Sequence, residues 1–226
     1  MKAMILAAGR GERMRPLTDT LPKPLLRVHG KPLIVWHIEN LANNGFDTIV
    51  INIAHLGEKI PALLGDGGQW GVQIFYSDER DSGALESAGG IKKALALLGE
   101  ETFLVVNGDI FCDYAFNPFF QLKDKLAHLI LVPNPQHNKK GDFALQNGLI
   151  TNAKKYTFSG IGYYSPKLFA DVLLQKSPLA PLLREAAAKE QVSGEVFNNM
   201  WHDIGTPKRL EAINELYKNP PHSPES

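Results

Sequence analysis

The first residues that could do chemistry lie in a glycine-spaced turn loaded with cations. Residues 3–8 are a short apolar run that reads as a buried strand. The run breaks into Gly9-Arg10-Gly11, where two glycines let the backbone turn sharply and come close to a ligand. Successive exposed N–H groups in such a turn form an anion-binding concavity. Arg10, Arg13, Arg15 and Lys23 put four cations on this loop, with Glu12 and Asp19 as its acids. This is the composition of a phosphate-binding loop at the end of a parallel strand. A second candidate is Asn107-Gly108-Asp109, where the apolar run 103–106 stops. An aspartate there often does no more than cap a turn. Facing a phosphate loop it gains another use, because the Mg²⁺ that accompanies a triphosphate takes one or two carboxylates plus phosphate oxygens and water.

These residues need a scaffold that brings positions 9–23 and 109 together. Positions 32–44 read as a helix, with Pro32 at its first position and Gly45 at its C-terminal cap. A β-branched strand follows at 48–53, a shorter helix at 56–64 and a strand at 72–76. Positions 86–98 begin as a glycine turn and continue as a helix stopped by Gly99, leading to the strand 103–106. This alternation implies a parallel sheet with right-handed crossovers and helices on both faces. Ligands of such sheets bind outside the carboxyl ends of the strands. The glycine loop and Asn107-Gly108-Asp109 both lie at such ends, so one cleft can hold both.

The second half is less regular. It offers a strand at 129–132, a polar turn-rich stretch at 134–147 and a strand at 156–164. Helical stretches follow at 166–174 and 179–189, then a strand at 196–201. Thr206 can cap a last helix with Leu210, Ile213, Leu216 and Tyr217 on one face. The fold expected is α/β, a single Rossmann-like domain over residues 1–218 with a mostly parallel, mixed central sheet flanked by helices. The tail 219–226, with three prolines, is expected to fray.

Composition removes several classes of function. Acidic and basic residues number 24 each in 226, so no global field points to nucleic acid or a membrane surface. Cys112 stands alone, which excludes an intramolecular disulfide and a cysteine zinc site and fits a reducing compartment. The apolar run at the N-terminus is too short for a signal peptide, and no stretch approaches the ~20 residues of a membrane helix. A cytoplasmic protein is expected. The histidines show no metal-ligand spacing on one helix face, and Ser159 has no local motif of a hydrolase triad. A dinucleotide fingerprint would need glycine where Met14 stands, and no G-K-[ST] completes a P-loop.

Gly9, Gly11 and Arg13, followed by Pro22-Lys23-Pro24, fit a third glycine-loop pattern, G-x-G-x-R with a later P-K-P. With these residues the chain strongly resembles the sugar-phosphate nucleotidyltransferases, which make nucleotide sugars from a nucleoside triphosphate and a sugar 1-phosphate. The resemblance implies that Gly9, Gly11, Glu12, Arg13 and Lys23 stand at the substrates, with Arg13 and Lys23 catalytic. It implies metal-binding aspartates in an x-G-D strand end, matched by Asp109, and in W-x-D-x-G-T, matched by Trp201 to Thr206 with Asp203 as ligand. The implied cofactor is Mg²⁺. Leu85 to Gly90 looks like the family's base-recognition turn, which adds Glu86 and Gly89, with Asn107, as substrate contacts.

Gly141-Asp142-Phe143, residues 157–161, 178–184 and 192–195 recur in the short branch of the family. That implies Asp142 at the sugar, with UTP as donor and an N-acetylated sugar 1-phosphate as acceptor. Glu12 departs from the pattern, since many members have threonine there; an acid beside a triphosphate is unfavourable unless it points away. No hexapeptide repeat occurs, so an added acyltransferase domain is not expected. The protein is expected to be a monomer or small homo-oligomer. Two alternatives stand beside this reading: another sugar 1-phosphate or phosphocholine with a different nucleotide, and a silent sensor of nucleotide sugars.

Overall fold

A computed structural model describes residues 1–216. Tyr217, the last residues of the expected domain and the tail 219–226 lie outside the described residues. The chain begins with β1 (Ala3–Leu6), apolar at every position. A strand with no polar face needs neighbours on both sides, and β1 lies near the middle of the sheet. The hairpin β2 (Arg27–Val28) and β3 (Lys31–Pro32) precedes α1 (Leu33–Asn43). Then come β4 (Thr48–Ile53), α2 (Lys59–Leu64), β5 (Gln73–Asp78), α3 (Glu86–Leu98) and β6 (Phe103–Asn107). The expected alternation is therefore present. Helix α2 starts three residues later than the pattern suggests, because Leu56 has φ +52° and cannot join a right-handed helix.

The second half adds β7 (Ile110–Cys112), β8 (Ala127–Val132), β9 (Phe143–Gln146) and β10 (Leu149–Tyr164). After these come α4 (Leu179–Ala188), β11 (Val192–Val196), β12 (Trp201–Asp203) and α5 (Pro207–Leu216). The main sheet runs β11-β8-β10-β6-β1-β4-β5, with β9 against β10. Strands β6, β1, β4 and β5 pair in parallel, and β10 is antiparallel to β6, β8, β9 and β11. One strand thus runs against the rest, and the expectation of a mixed, mostly parallel α/β sheet holds. One core cluster joins α1 to one sheet face, and a second joins α3 and α4 to the other. No helix among the described residues is long and apolar enough to cross a membrane.

Four expectations for the second half need correction. The stretch 134–147 contains a strand, β9. Positions 166–174 form only a 3-10 turn, Pro166–Phe169, which Ser165 caps by accepting from Lys167 N. The strand expected at 156–164 begins at Leu149 and bends through two irregularities, so its first half meets β9 and its second meets β6 and β8. The strand expected at 196–201 is mostly a connection, since residues 197–200 join no strand and link β11, which lies beside β8, to β12, which lies beside β7. β9 and the start of β10 form a local hairpin across Asn147-Gly148, whereas β11 and β12 take their places from β8 and β7, distant in sequence.

Candidate active site

The loops after β1 and β6 meet at the carboxyl edge of the sheet, because Leu6 lies in register with Asn107. A cleft of about 600 Å³ opens there. Gly9, Gly11, Arg13 and Lys23 line one side, and Asn107 and Asp109 line the floor. Gly11 has φ +66°, and a side chain there would press a Cβ to 2.9 Å from Thr18 Cγ2. The turn after Gly11 is drawn shut by Thr18 Oγ1, which donates to Gly11 O at 2.8 Å.

The four cations of the loop separate in space. Arg13 faces the cleft. Arg10 lines a smaller neighbouring pocket, and Arg15 pairs with Asp19 at 3.0 Å on the surface. Lys23 is 9 % exposed and donates from Nζ to Asp109 Oδ2 at 2.6 Å. Pro22 and Pro24 flank Lys23 in a single 3-10 turn, Lys23–Leu25, which fixes the stem that carries this charge. Glu12 also lines the cleft.

Asp203 reaches the same edge by a route the periodicity does not announce. Strand β12 pairs antiparallel with β7, setting Asp203 opposite Ile110, and Ile204 N donates to Asp109 O at 2.8 Å. Two aspartates 94 positions apart are thereby adjacent in space. Asp203 Oδ2 lies 3.3 Å from His137 Nε2, and Oδ1 lies 3.3 Å from Arg209 Nη1. The second contact is an ion pair by distance but is misaligned as a hydrogen bond, and Asp203 Oδ1 is buried without a hydrogen-bond partner.

Three proposed site residues are not on the cleft wall: Asp203, which lies beside Asp109 while Gly205 does the lining, Gly89 and Asp142. Gly89 belongs to helix α3 rather than to a turn, and its N–H donates to Ser177 O at 3.1 Å. A Cβ on Gly89 would stand 2.3 Å from Gln175 O, so this glycine makes room for the 175–177 loop. Glu86 does line the cleft, together with Ala84 and Ser87. Asp142 is held as a strand cap: its Oδ2 accepts from Phe158 N at 2.9 Å and from Asn138 Nδ2 at 3.0 Å. Its loop, which follows β8 at the same sheet edge, also carries His137 to Asp203, so Asp142 flanks the site without lining it.

Asn52 is a cleft residue that the sequence reading missed. Its position at the end of β4, the neighbour of β1, was the available signal. His37, on α1, is buried behind Ile110. Burial lowers its pKa to about 4, against the opposing effects of the Ile110 backbone hydrogen bond and the Asp109 charge. The ring is therefore neutral at pH 7. Burial raises the Cys112 thiol to about 11, which keeps it protonated and a poor nucleophile.

Gly160, on β10, underlies Asn107. It has φ +84°, and a Cβ there would stand 2.5 Å from Asn107 Nδ2. Gly160→Ala is expected to lower stability by about 1–3 kcal/mol through backbone strain and to displace Asn107 from the floor. A melting temperature equal to the wild type would contradict this.

A basic glycine loop facing paired aspartates, at the carboxyl edge of a mostly parallel sheet, defines a class of enzyme that handles nucleotides. The chain belongs to the nucleotidyl transferase family, whose model matches residues 2–143. It is 50% identical over 227 residues to N-acetylmuramate alpha-1-phosphate uridylyltransferase of Neisseria meningitidis serogroup B, across 96% of this chain and 98% of that protein. A protein of the same name from Caulobacter vibrioides is 32% identical, across 91% and 92%. A solved Bacillus anthracis structure in complex with sucrose has a TM-score of 0.85 at 22% identity, covering 99% of this chain and 97% of that one. At that identity the likeness speaks for the fold alone.

Proposed function

We propose that the protein transfers the uridylyl group of UTP to N-acetylmuramic acid 1-phosphate and releases pyrophosphate. A phosphate oxygen of the sugar attacks the α-phosphorus, one P–O bond forms, and the α–β P–O bond breaks with its electron pair leaving on pyrophosphate. No covalent enzyme intermediate is needed. The observation that carries the reading is the Lys23–Asp109 pair at 2.6 Å, set between the glycine loop and the strand that holds Asp203.

Positioning and charge neutralisation are the chemistry open to such a site. Gly9 and Gly11 would present backbone N–H groups to the triphosphate. Arg13, exposed on the cleft wall, would neutralise the leaving pyrophosphate. Lys23, fixed by its flanking prolines, would sit against the phosphate on which charge develops. Ala84, Glu86 and Ser87 line the side of the cleft left for the base. The donor set suits Mg²⁺: two hard carboxylates, one with a buried oxygen that makes no hydrogen bond. Asp109 and Asp203 would hold it, and the bound ion would supply charge neutralisation on phosphate oxygens.

The near full-length identity to the Neisseria enzyme supports UTP and the muramic acid acceptor. The role proposed for the product is recycling of peptidoglycan sugars. UTP dependence and the lone, unpaired Cys112 fit a cytoplasmic site of action. Arg13, Lys23, Asp109 and Asp203 are all present, which argues against a silent sensor.

The test is a matrix of triphosphates against sugar 1-phosphates, read by pyrophosphate release. UTP with N-acetylmuramic acid 1-phosphate is expected to give the highest kcat/KM. A higher value with glucose 1-phosphate or mannose 1-phosphate would overturn the acceptor. Asp142→Ala frees Phe158 N and Asn138 Nδ2, and a lost polar partner costs about 1–3 kcal/mol. The loop 133–142 should loosen, raising KM for the sugar phosphate by about tenfold or more while KM for UTP stays nearly constant.

A further inference from the structure

Beside the cleft lies a buried carboxylate that the proposed chemistry does not use. Glu79 is 0% exposed. Among the described residues it makes no ion pair. A buried carboxylate without a cation is unfavourable unless hydrogen bonds replace its water. Two do so here. Asn52 Nδ2 donates to Oε1 at 2.7 Å, and Leu85 N donates to Oε2 at 2.8 Å. Asn52, 3% exposed, in turn accepts from Ala7 N on Oδ1 at 2.8 Å.

The chain of bonds runs from the root of the glycine loop to the segment Ala84 to Ser87. Both ends are cleft wall. Glu86, immediately after Leu85, has φ +60°, a conformation that a non-glycine residue keeps only when its surroundings hold it. The helix behind is shaped around the pair. A Cβ on Gly90 would stand 2.7 Å from Glu79 Oε1 and 2.9 Å from Asn52 Nδ2. Glycine inside a helix is unfavourable, and here it leaves space for the carboxylate.

The pattern of donors fixes the residue types. Ala7 N and Leu85 N are backbone donors and cannot change role. Asn52 offers one acceptor and one donor. With Asn52 accepting from Ala7, its amide must donate onward, so the next group must accept on both oxygens. Glutamate satisfies this arrangement and glutamine does not.

We propose that Glu79, acting through Asn52, is a positioning residue that sets the spacing between the phosphate loop and the segment facing the nucleoside. The proposal rests on the reading of the cleft as a nucleoside triphosphate site. Glu79→Gln puts an NH₂ group against Leu85 N or against the Asn52 amide, and turning Asn52 over moves the conflict to Ala7 N. Asn52→Asp alone sets two carboxylate oxygens face to face. The double variant restores the pattern at unchanged net charge, since the new amide donates to the new carboxylate while both backbone donors keep acceptors.

The experiment measures KM for each substrate, kcat, UTP binding by calorimetry and melting temperature for the wild type and the three variants. Each single variant is expected to raise KM for UTP by about tenfold and leave KM for the sugar phosphate within about twofold. The double variant is expected to return KM for UTP to within about threefold of the wild type. A wild-type KM for UTP in Glu79→Gln, or a double variant no better than the worse single, overturns the proposal. Should a single variant fail to fold, the double variant carries the test by the same KM criterion. If the wild type uses another triphosphate, the UTP reading fails and the variants are measured with that nucleotide instead. A wild type that binds no triphosphate overturns both.

Discussion

Lys23→Ala is expected to lower kcat by about 30- to 10³-fold, because a cation placed on developing phosphate charge contributes about 2–4 kcal/mol to the barrier. The substitution also touches the resting structure. Lys23 is buried to 9% exposure, and its Cβ is 3.3 Å from where a side chain on Gly11 would begin. Its Nζ is the hydrogen-bonded partner of Asp109. Asp109 is 33% exposed in its side chain, so water can replace part of the lost partner. The stability cost should therefore stay near the ~1 kcal/mol of an accessible ion pair, with a further contribution from the lost stem. Lys23→Met keeps the stem and removes the charge. The same fall in kcat in both variants, with a smaller fall in melting temperature for Met, is the expected result. Near-normal turnover in either one would refute the role.

Asp109→Asn and Asp203→Asn should each raise the Mg²⁺ concentration needed for half-maximal activity by about tenfold or more, since each removes one negative charge from a hard-cation site. Each also leaves cations behind. Asp109→Asn deprives Lys23 of its carboxylate, and Asp203→Asn does the same to Arg209 and to His137 when protonated. Activity alone would mix these effects. Direct Mn²⁺ binding, followed by paramagnetic resonance on the variants without nucleotide and with it, separates them. Weaker ion binding in both variants supports the pair as ligands. A chelator should abolish wild-type turnover, and chelator-resistant activity would contradict a divalent-ion site altogether.

The parts of this molecule legible along the chain are those written in local pattern. The alternation of apolar strands and amphipathic helices through residue 107 is a short-range signal, and it led to four parallel strands with their carboxyl ends on one edge. The glycine loop, its cations and Asp109 followed, because each sits directly after a strand. The flanking prolines of Lys23 were visible as well, though the burial of its stem was not. The Gly11 turn lies against that stem, a contact between separate turns of the loop.

Tertiary structure decided the rest, wherever a short segment takes its state from a distant partner. Residues 201–203 form a strand because β7 offers three residues of ladder, and that ladder is what sets Asp203 beside Asp109. Gly89 and Gly90 look alike in sequence, yet one makes room for a loop carbonyl and the other for a buried carboxylate. Asn52 and Glu79 carry no motif at all. Hydrogen bonds across 45 and 27 positions give them their place at the site. By itself the sequence determined the class of fold, the basic glycine loop and the residue types that could serve phosphate chemistry. Which of those residues share one cleft was decided by strand pairing and buried hydrogen bonds, because those interactions depend on distance in space rather than along the chain.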